Sequence, residues 1–247
     1  MDRGDTAARP TTPGELGTVL GVWAHPDDEA YLSAGLMSAV RDAGNRVVVM
    51  TATLGDQGTD DPVGWPPERL AAQRRDELAV SLAAIGVDEH VVFGYADGGC
   101  ADVPDAEAVD RLVALLDDVK PDTVVTFGPD GMTGHPDHRT VSAWATRAWH
   151  RTGSRGRLWY ATTTEAFHRR WARLNERSGI WAESPAPIAT DDELAYVFAC
   201  DEPTRHRKFA ALRAHRSQTA GLIDLVGADD YRDWWGEEAF VAAVPRS

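Results

Sequence analysis

The 247-residue chain carries 25 basic against 39 acidic side chains, a net charge of −14. A surface that acidic repels nucleic acid and anionic membrane, which excludes both as electrostatic partners. The content, 43% hydrophobic and 26% charged, is that of an ordinary globular domain, and no apolar run approaches the roughly 20 residues of a membrane-crossing helix.

In chain order, residues 1–16 (MDRGDTAARPTTPGEL) are polar, Pro/Thr-rich and without an apolar signal-peptide core. They read as a flexible tail ahead of one domain spanning 17–247. Short β-branched runs bounded by turn residues predict strands at 17–24, 45–55, 89–95 and 122–128, with later candidates at 157–164 and 194–200. Helix-period segments lie between the early strands at 29–44, 66–86 and 106–120, and Gly44 and Gly86 sit where a helix C-cap belongs. Such alternation, with near-continuously apolar strands, predicts an α/β fold: a mostly parallel sheet, helices on both faces and a more irregular C-terminal third. The Arg/His-rich stretch 203–218 reads as a cationic helix face against an acidic body. Cys100 and Cys200, the only cysteines, read as ordinary thiols and suit a reducing cytoplasm.

In open α/β sheets, ligands collect beyond the carboxyl ends of the strands. Here four predicted strand ends run into polar phrases: HPDDE, TLGDQGTDD, YADGG and GPDGMTGHPDH. Two of them contain His-Pro-Asp. His and Asp are costly beside a core unless something holds their charge. His25 and Asp28 are three apart across a strand-to-helix turn, and His135 and His138 are three apart where a helical turn would put them on one face. Two imidazoles and a carboxylate suffice for a catalytic zinc site, which keeps one coordination position open. Pro26 and Pro136 stiffen the turns, while Gly131 and Gly134 let the second loop approach closely. Three ligands leave two carboxylates and one histidine over, the groups a hydrolysis needs as base, acid and tautomer-fixing partner. Spacing leaves open which aspartate binds metal. No glycine-rich nucleotide loop and no serine nucleophile elbow occurs.

AHPDDE (24–29) with GHPDH (134–138) resembles the paired signature of the PIG-L/LmbE-like metal-dependent N-deacetylase superfamily. That superfamily includes GlcNAc-phosphatidylinositol deacetylases and mycothiol-pathway deacetylases and amidases. The resemblance runs through most of residues 18–220, including TATLGDQG, RRDELAVSLAAIGV (74–87), FGYADGG (93–99) and AHRSQT (214–219). It implies a Rossmann-like fold and zinc-dependent removal of an N-acetyl group from an amino sugar or its conjugate, with Fe2+ as another divalent ion for the site. By position it implies His25, Asp28 and His138 as metal ligands and Asp27 as general base. It implies His135 as the acid or oxyanion-stabilising group and Asp137 as the partner that orients His135. Arg74 and Asp97 fall where relatives contact sugar hydroxyls, and His215 and Gln218 fall beneath the site or on its rim. Mycothiol-pathway deacetylases carry an acidic substrate contact where this chain has Thr59, followed by Asp60 and Asp61. The pair Trp234–Trp235 is a further candidate for stacking on a sugar.

Three rivals stand beside the deacetylase reading. One is an amidase cleaving a larger acyl group from a thiol or sugar conjugate. Another is a non-catalytic metal- or sugar-binding relative, which would have no use for Asp27 or His135. The third is a metallo-phosphoesterase, whose frequent two-metal centre needs more ligands than these phrases offer.

Overall fold

The computed structural model describes residues 12–182 and 184–244. Its strands are β1 (Val19–Trp23), β2 (Val47–Thr51), β3 (Glu89–Val92), β4 (Thr123–Phe127), β5 (Arg157–Thr164), β6 (Ile188–Ala189), β7 (Leu194–Ala199) and β8 (Glu237–Ala242). Its α-helices are α1 (Asp28–Leu32), α2 (Ala34–Asp42), α3 (Pro67–Ala84), α4 (Asp105–Val119), α5 (Pro136–Arg151), α6 (Glu165–Ser178), α7 (Glu202–Ala214), α8 (Arg216–Val226) and α9 (Ala228–Trp234).

The sheet runs β3-β2-β1-β4-β5-β8-β7, with β6 paired to β5 off that path. Strands β1 to β5 are mutually parallel, and β8 lies antiparallel between β5 and β7. Every residue of β1, β2 and β4 is buried, as expected of central strands covered on both faces. The alternation ends in the C-terminal third, where α7, α8 and α9 follow one another before β8 rejoins the sheet.

All six strands expected from the sequence are present; the two-residue β6 and the longer β8 were not legible, and β8 is the instructive one. Its EEAF opening looks like a loop, yet the Glu238 carboxylate is buried and accepts the N–H groups of Gly35 and Leu36 at the start of α2, each at 2.7 Å. Lys208 pairs with it at 2.6 Å. A helix N-terminus and an ammonium together make a charged residue tolerable inside the sheet layer. The helix expected over 29–44 is broken at Ser33 into α1 and α2. Gly44 and Gly86 do close their helices, each with positive φ and with the next residue bonding five back.

Of the segment 1–16 expected as a tail, residues 12–16 are described and pack against the domain. Pro13–Leu16 forms a 3-10 turn whose Leu16 side chain is fully buried and whose carbonyl accepts the Thr123 hydroxyl at 2.9 Å. An apolar side chain fitting under the sheet outweighs the polar character of its neighbours. Residues 1–11 lie outside the described residues. Both cysteines are buried and unpaired. Among the described residues, no helix is long and apolar enough to cross a membrane.

The strand order has one consequence for ligand binding. From β1 the chain winds outward through β2 and β3 on one side, then returns to β4 and β5 on the other. The carboxyl ends of β1 and β4 therefore flank the point where the winding reverses, where open α/β sheets hold their ligands. The two His-Pro-Asp phrases leave the sheet there.

Candidate metal-dependent active site

After β1 the chain passes through Ala24, His25 and Pro26 into α1. Asp27 has φ 120° and ψ −28°, a conformation non-glycine residues rarely adopt. Its N–H donates to the Glu29 carboxylate at 2.9 Å, and its carbonyl accepts the N–H groups of Ala30 and Tyr31 at 2.9 and 3.0 Å. Asp28 folds back so that one oxygen accepts the N–H groups of His25 and Ala24 at 2.7 and 3.2 Å. Neither aspartate is a loose turn residue.

The second phrase leaves β4 and opens α5. His135 is its N-cap, with Nδ1 accepting the Asp137 N–H at 3.2 Å. One turn in, His138 stacks on Phe127 with ring centroids 4.1 Å apart, and its Nδ1 lies 3.0 Å from the Gly131 carbonyl. That carbonyl can only accept, so Nδ1 carries the proton and Nε2 presents a lone pair.

Nδ1 of His25 and Nε2 of His138 stand 3.1 Å apart. Asp28 Oδ1 is 3.3 Å from His138 Nε2, and Asp28 Oδ2 is 3.7 Å from His25 Nδ1. Tetrahedral zinc with bonds of about 2.0–2.1 Å separates neighbouring ligand atoms by about 3.3–3.4 Å. The two imidazole nitrogens and the Asp28 carboxylate, with Oδ1 nearer His138 and Oδ2 nearer His25, are thus close enough to share one divalent ion. The far nitrogen of His25, Nε2, lies 3.0 Å from Asp97 and 3.2 Å from Asp137. An imidazole whose distal N–H is held by carboxylate is oriented and made more basic for metal ligation.

Burial drags the His25 imidazole down, but its bonds to Asp137 and Asp97 overcome this and raise it to about 10. Burial and the neighbouring His25 charge push His138 down to about 3. Burial lifts Asp27 to about 6 against the pull of Arg74, and Asp28 to about 6 against that of His25. His135 is more open to solvent, with ring centroids 4.8 Å from His25 and 5.0 Å from His138.

The model of the PIG-L family, described as GlcNAc-PI de-N-acetylase, matches residues 20–149, which contain both phrases. This chain belongs to the PIG-L family. A 1D-myo-inositol 2-acetamido-2-deoxy-alpha-D-glucopyranoside deacetylase of Saccharomonospora viridis is 34% identical over 81% of this chain and 84% of its own length. Among solved structures, the N,N'-diacetylchitobiose deacetylase of Pyrococcus horikoshii superposes with a TM-score of 0.66 at 22% identity, covering 94% of this chain and 85% of its own. The 4-carboxy-2-hydroxymuconate hydratase of Pseudomonas putida KT2440 does so at 0.60 and 15% identity, covering 94% and 98%. A deacetylase and a hydratase thus share the fold, so the reaction has to be argued from the site.

In this PIG-L chain several expected roles are redistributed. Asp137 was expected to orient His135, but its carboxylate faces His25 instead and is pinned by the N–H groups of Gly98 and Cys100 at 2.8 and 3.1 Å. Only its backbone N–H meets His135, because the N-cap geometry turns the side chain inward. Asp97, expected at sugar hydroxyls, is buried, spends one oxygen on His25 and takes the Gln57 N–H at 2.8 Å on the other. Of the two places expected for His215, beneath the site or on its rim, the structure has the first: it is fully buried, with Nε2 2.7 Å from Glu29. Trp234 is fully buried too, its indole N–H donating to Asn175.

Arg74, from α3, is 4% exposed. Its guanidinium donates to the carbonyls of Gly55 and Pro26 at 2.8 and 2.6 Å and reaches Asp27 at 3.5 Å. Gly55 has φ +63°, and a Cβ there would lie 2.3 Å from the guanidinium, so the TLGDQG phrase is shaped around this arginine. Gln218 sits at the rim and donates to the Gly58 carbonyl at 3.1 Å. Thr59 accepts the Asp61 N–H at 3.1 Å, and Asp61 in turn accepts that of Gly64 at 2.9 Å.

Sequence reasoning missed Glu29. As the last letter of HPDDE it passes for an acidic residue favouring a helix N-terminus. It is instead fully buried, accepting from Asp27, from the Ser81 hydroxyl at 2.8 Å and from His215. The only sequence signal was a glutamate beside two aspartates at a strand end.

Asp27, Arg74, His135 and Gln218 line an open cleft of about 450 Å³ together with His25, Asp28 and His138. A second, largely apolar chamber of about 210 Å³ opens from the same place and shares Asp28, Tyr31, Thr133 and His138 with the cleft.

Proposed function

We propose that this chain is a metal-dependent N-deacetylase that hydrolyses the acetamide of an amino sugar or amino-sugar conjugate. The observation that carries the reading is the triangle of His25, Asp28 and His138 donors, with Asp27 and His135 on the same cleft. Zinc is the ion we assign, with Fe2+ as the other divalent ion such a donor set takes. When bound it supplies Lewis-acid polarisation of the amide carbonyl and a lower pKa for water.

The chain's own residues have separable tasks. Asp27 takes a proton from the attacking water, and a carboxylate lifted to about 6 is a stronger proton acceptor than an ordinary one. Arg74 keeps that carboxylate ionised and in place, and Glu29 holds the backbone turn that presents it. His135 lies on the open side, where it meets the oxyanion and delivers a proton to the departing nitrogen. Asp97 and Asp137 orient His25 from behind. Water adds to the carbonyl carbon, the C–N bond breaks, and acetate and a free amine leave. Arg74 and Gln218 offer the cleft's hydrogen bonds to sugar hydroxyls. The 34% identical relative named for an acetamido-glucopyranoside of inositol supports a polar glycoside as the amine component. Two buried thiols suit the reducing cytoplasm, where we place the enzyme.

The test is metal analysis of the purified protein with amine release across N-acetylglucosamine conjugates, run beside Asp27→Asn. The expected result is one divalent ion per chain, acetate and amine in equal amounts, and a loss of about 10²–10⁴ in kcat for the variant with its metal retained. Amine release by Asp27→Asn near the wild-type rate would overturn the assignment.

A further inference from the structure

Two cavities meet at the ligand residues, and their chemistry differs. The cleft is open and lined by Asp27, Arg74, His135 and Gln218. The chamber of about 210 Å³ is walled chiefly by Leu32, Met132, Ile180, Trp181, Leu222 and Trp235. An amide has two sides, and a carbonyl carbon beside Asp28 and His138 must send one side each way. Sugar hydroxyls find most of their partners among the cleft's charged and amide side chains, whereas the chamber wall is chiefly apolar and adds only the unpartnered indole N–H groups of Trp181 and Trp235. The acyl carbons therefore go into the chamber.

Size then matters. A water molecule's share of liquid volume is about 30 Å³, and a methyl group is of similar bulk, so an acetyl methyl would leave most of this chamber empty. One side of the wall is held in place: the Tyr31 hydroxyl meets that of Tyr231 at 2.6 Å, and its ring packs edge-on against Trp235 at 4.8 Å. A preformed apolar cavity keeps its room for a ligand instead of collapsing onto a small one.

We infer that the enzyme also accepts N-acyl amino sugars whose acyl chain is longer than acetyl, up to aliphatic chains of medium length, and that Leu222, Ile180 and Trp181 set that limit. The inference rests on the hydrolase reading above. The reaction is unchanged in its balance: water adds, the C–N bond breaks, and a longer carboxylate leaves with the same amine.

The experiment is a series of glucosamine amides (acetyl, butanoyl, hexanoyl and decanoyl) assayed for amine release with the metal-loaded enzyme and with Leu222→Trp, which fills the chamber from α8. The wild-type kcat/KM should rise from acetyl to hexanoyl by up to about fourfold per methylene, the equivalent of burying each one. Leu222→Trp should lower the hexanoyl-to-acetyl ratio at least tenfold. The ratio is read on one preparation, so a partly misfolded variant does not imitate the effect. A flat or falling wild-type series, or a ratio that Leu222→Trp leaves unchanged, overturns the acyl-chain inference while leaving the deacetylase standing. Release of amine from none of the series, acetyl included, overturns the hydrolase reading itself.

Discussion

Glu29 and His215 stand 186 residues apart in sequence and 2.7 Å apart in space, and neither side chain reaches solvent. The other carboxylate oxygen of Glu29 holds the N–H of Asp27, whose φ of 120° the turn would otherwise not sustain. The pair acts on chemistry without touching substrate. Glu29→Gln substitutes an amide N–H₂ for one acceptor oxygen and leaves a buried donor unpaired. Stability should fall by about 1–3 kcal/mol. Steady-state kinetics should then show kcat reduced at least tenfold with KM little changed, because the sugar contacts of the cleft are intact. An equal change in KM alone would mean that Glu29 supports the substrate wall and not the base.

The same pair sets a pH window. Burial pushes the Glu29 carboxyl up, but the His215 charge and its hydrogen bonds outweigh this and bring it below its ordinary value of 4.5. Burial pushes His215 down, and Glu29 outweighs that in turn, raising it above 6.5. A lowered acid contributes stability above 4.5 and loses it as pH falls. A raised histidine contributes fully below 6.5 and loses it as pH rises through its folded value. The stability gap between wild type and Glu29→Gln, followed by urea unfolding at several pH values, should be widest between those limits and narrow on both sides.

Much of this architecture could be read from the residue string, and the failures share a cause. Six strands and both His-Pro-Asp phrases at the carboxyl ends of β1 and β4 announced themselves because a buried parallel strand is apolar throughout and its turn is crowded with His, Pro and Asp. What was not legible depends on long-range pairing. Glu238 and Lys208 look like surface charges until the fold puts them together inside. Asp137 and Asp97 look equally suited to touch substrate or a histidine, and only the closeness of the loop after β3 to the start of α5 decides it. His215 belongs to a stretch that reads as cationic surface, yet the α7–α8 junction drives it inward to Glu29.

The redirected Asp137 yields a prediction that separates its two candidate partners. If it orients His25, Asp137→Asn weakens the metal site. Loss of such outer carboxylates usually costs 10–100-fold in metal affinity. Competition against a chelator should show that loss. With the metal saturating, the rate of the variant should recover towards wild type, since the Asp137 backbone N–H that reaches His135 is unaltered. A rate loss that persists at saturating metal, with metal affinity unchanged, would restore Asp137 to His135.

Gly55 offers a test of whether Arg74 is placed by its loop or by Asp27. A Cβ at residue 55 would fall 2.3 Å from the guanidinium, on a backbone whose φ of +63° already disfavours side chains. The carbonyl of the same residue is one of the two that Arg74 binds. Gly55→Ala must therefore expel the guanidinium from its cradle, at a cost of about 1 kcal/mol or more in folding stability. Arg74→Lys keeps the charge but loses the two-pronged hold on Gly55 and Pro26. Both variants should lower kcat by a similar factor if positioning of Asp27 is what Arg74 contributes, whereas a loss confined to Gly55→Ala would mean that its charge alone suffices.

Removing the ion should be felt in folding as well as in rate. The three proposed donors come from β1's exit, α1 and α5, so one cation held by them would tie both sides of the sheet's reversal point together. An ion at about 100 times its dissociation constant stabilises the native state by about 2.7 kcal/mol. Calorimetry of the metal-loaded protein with and without chelator should show a melting temperature lower by several degrees in chelator. His138→Ala should lose that difference, because Nε2 of His138 is one corner of the triangle, while Asp27→Asn should keep it. A chelator shift that survives His138→Ala would place the ion elsewhere on the molecule.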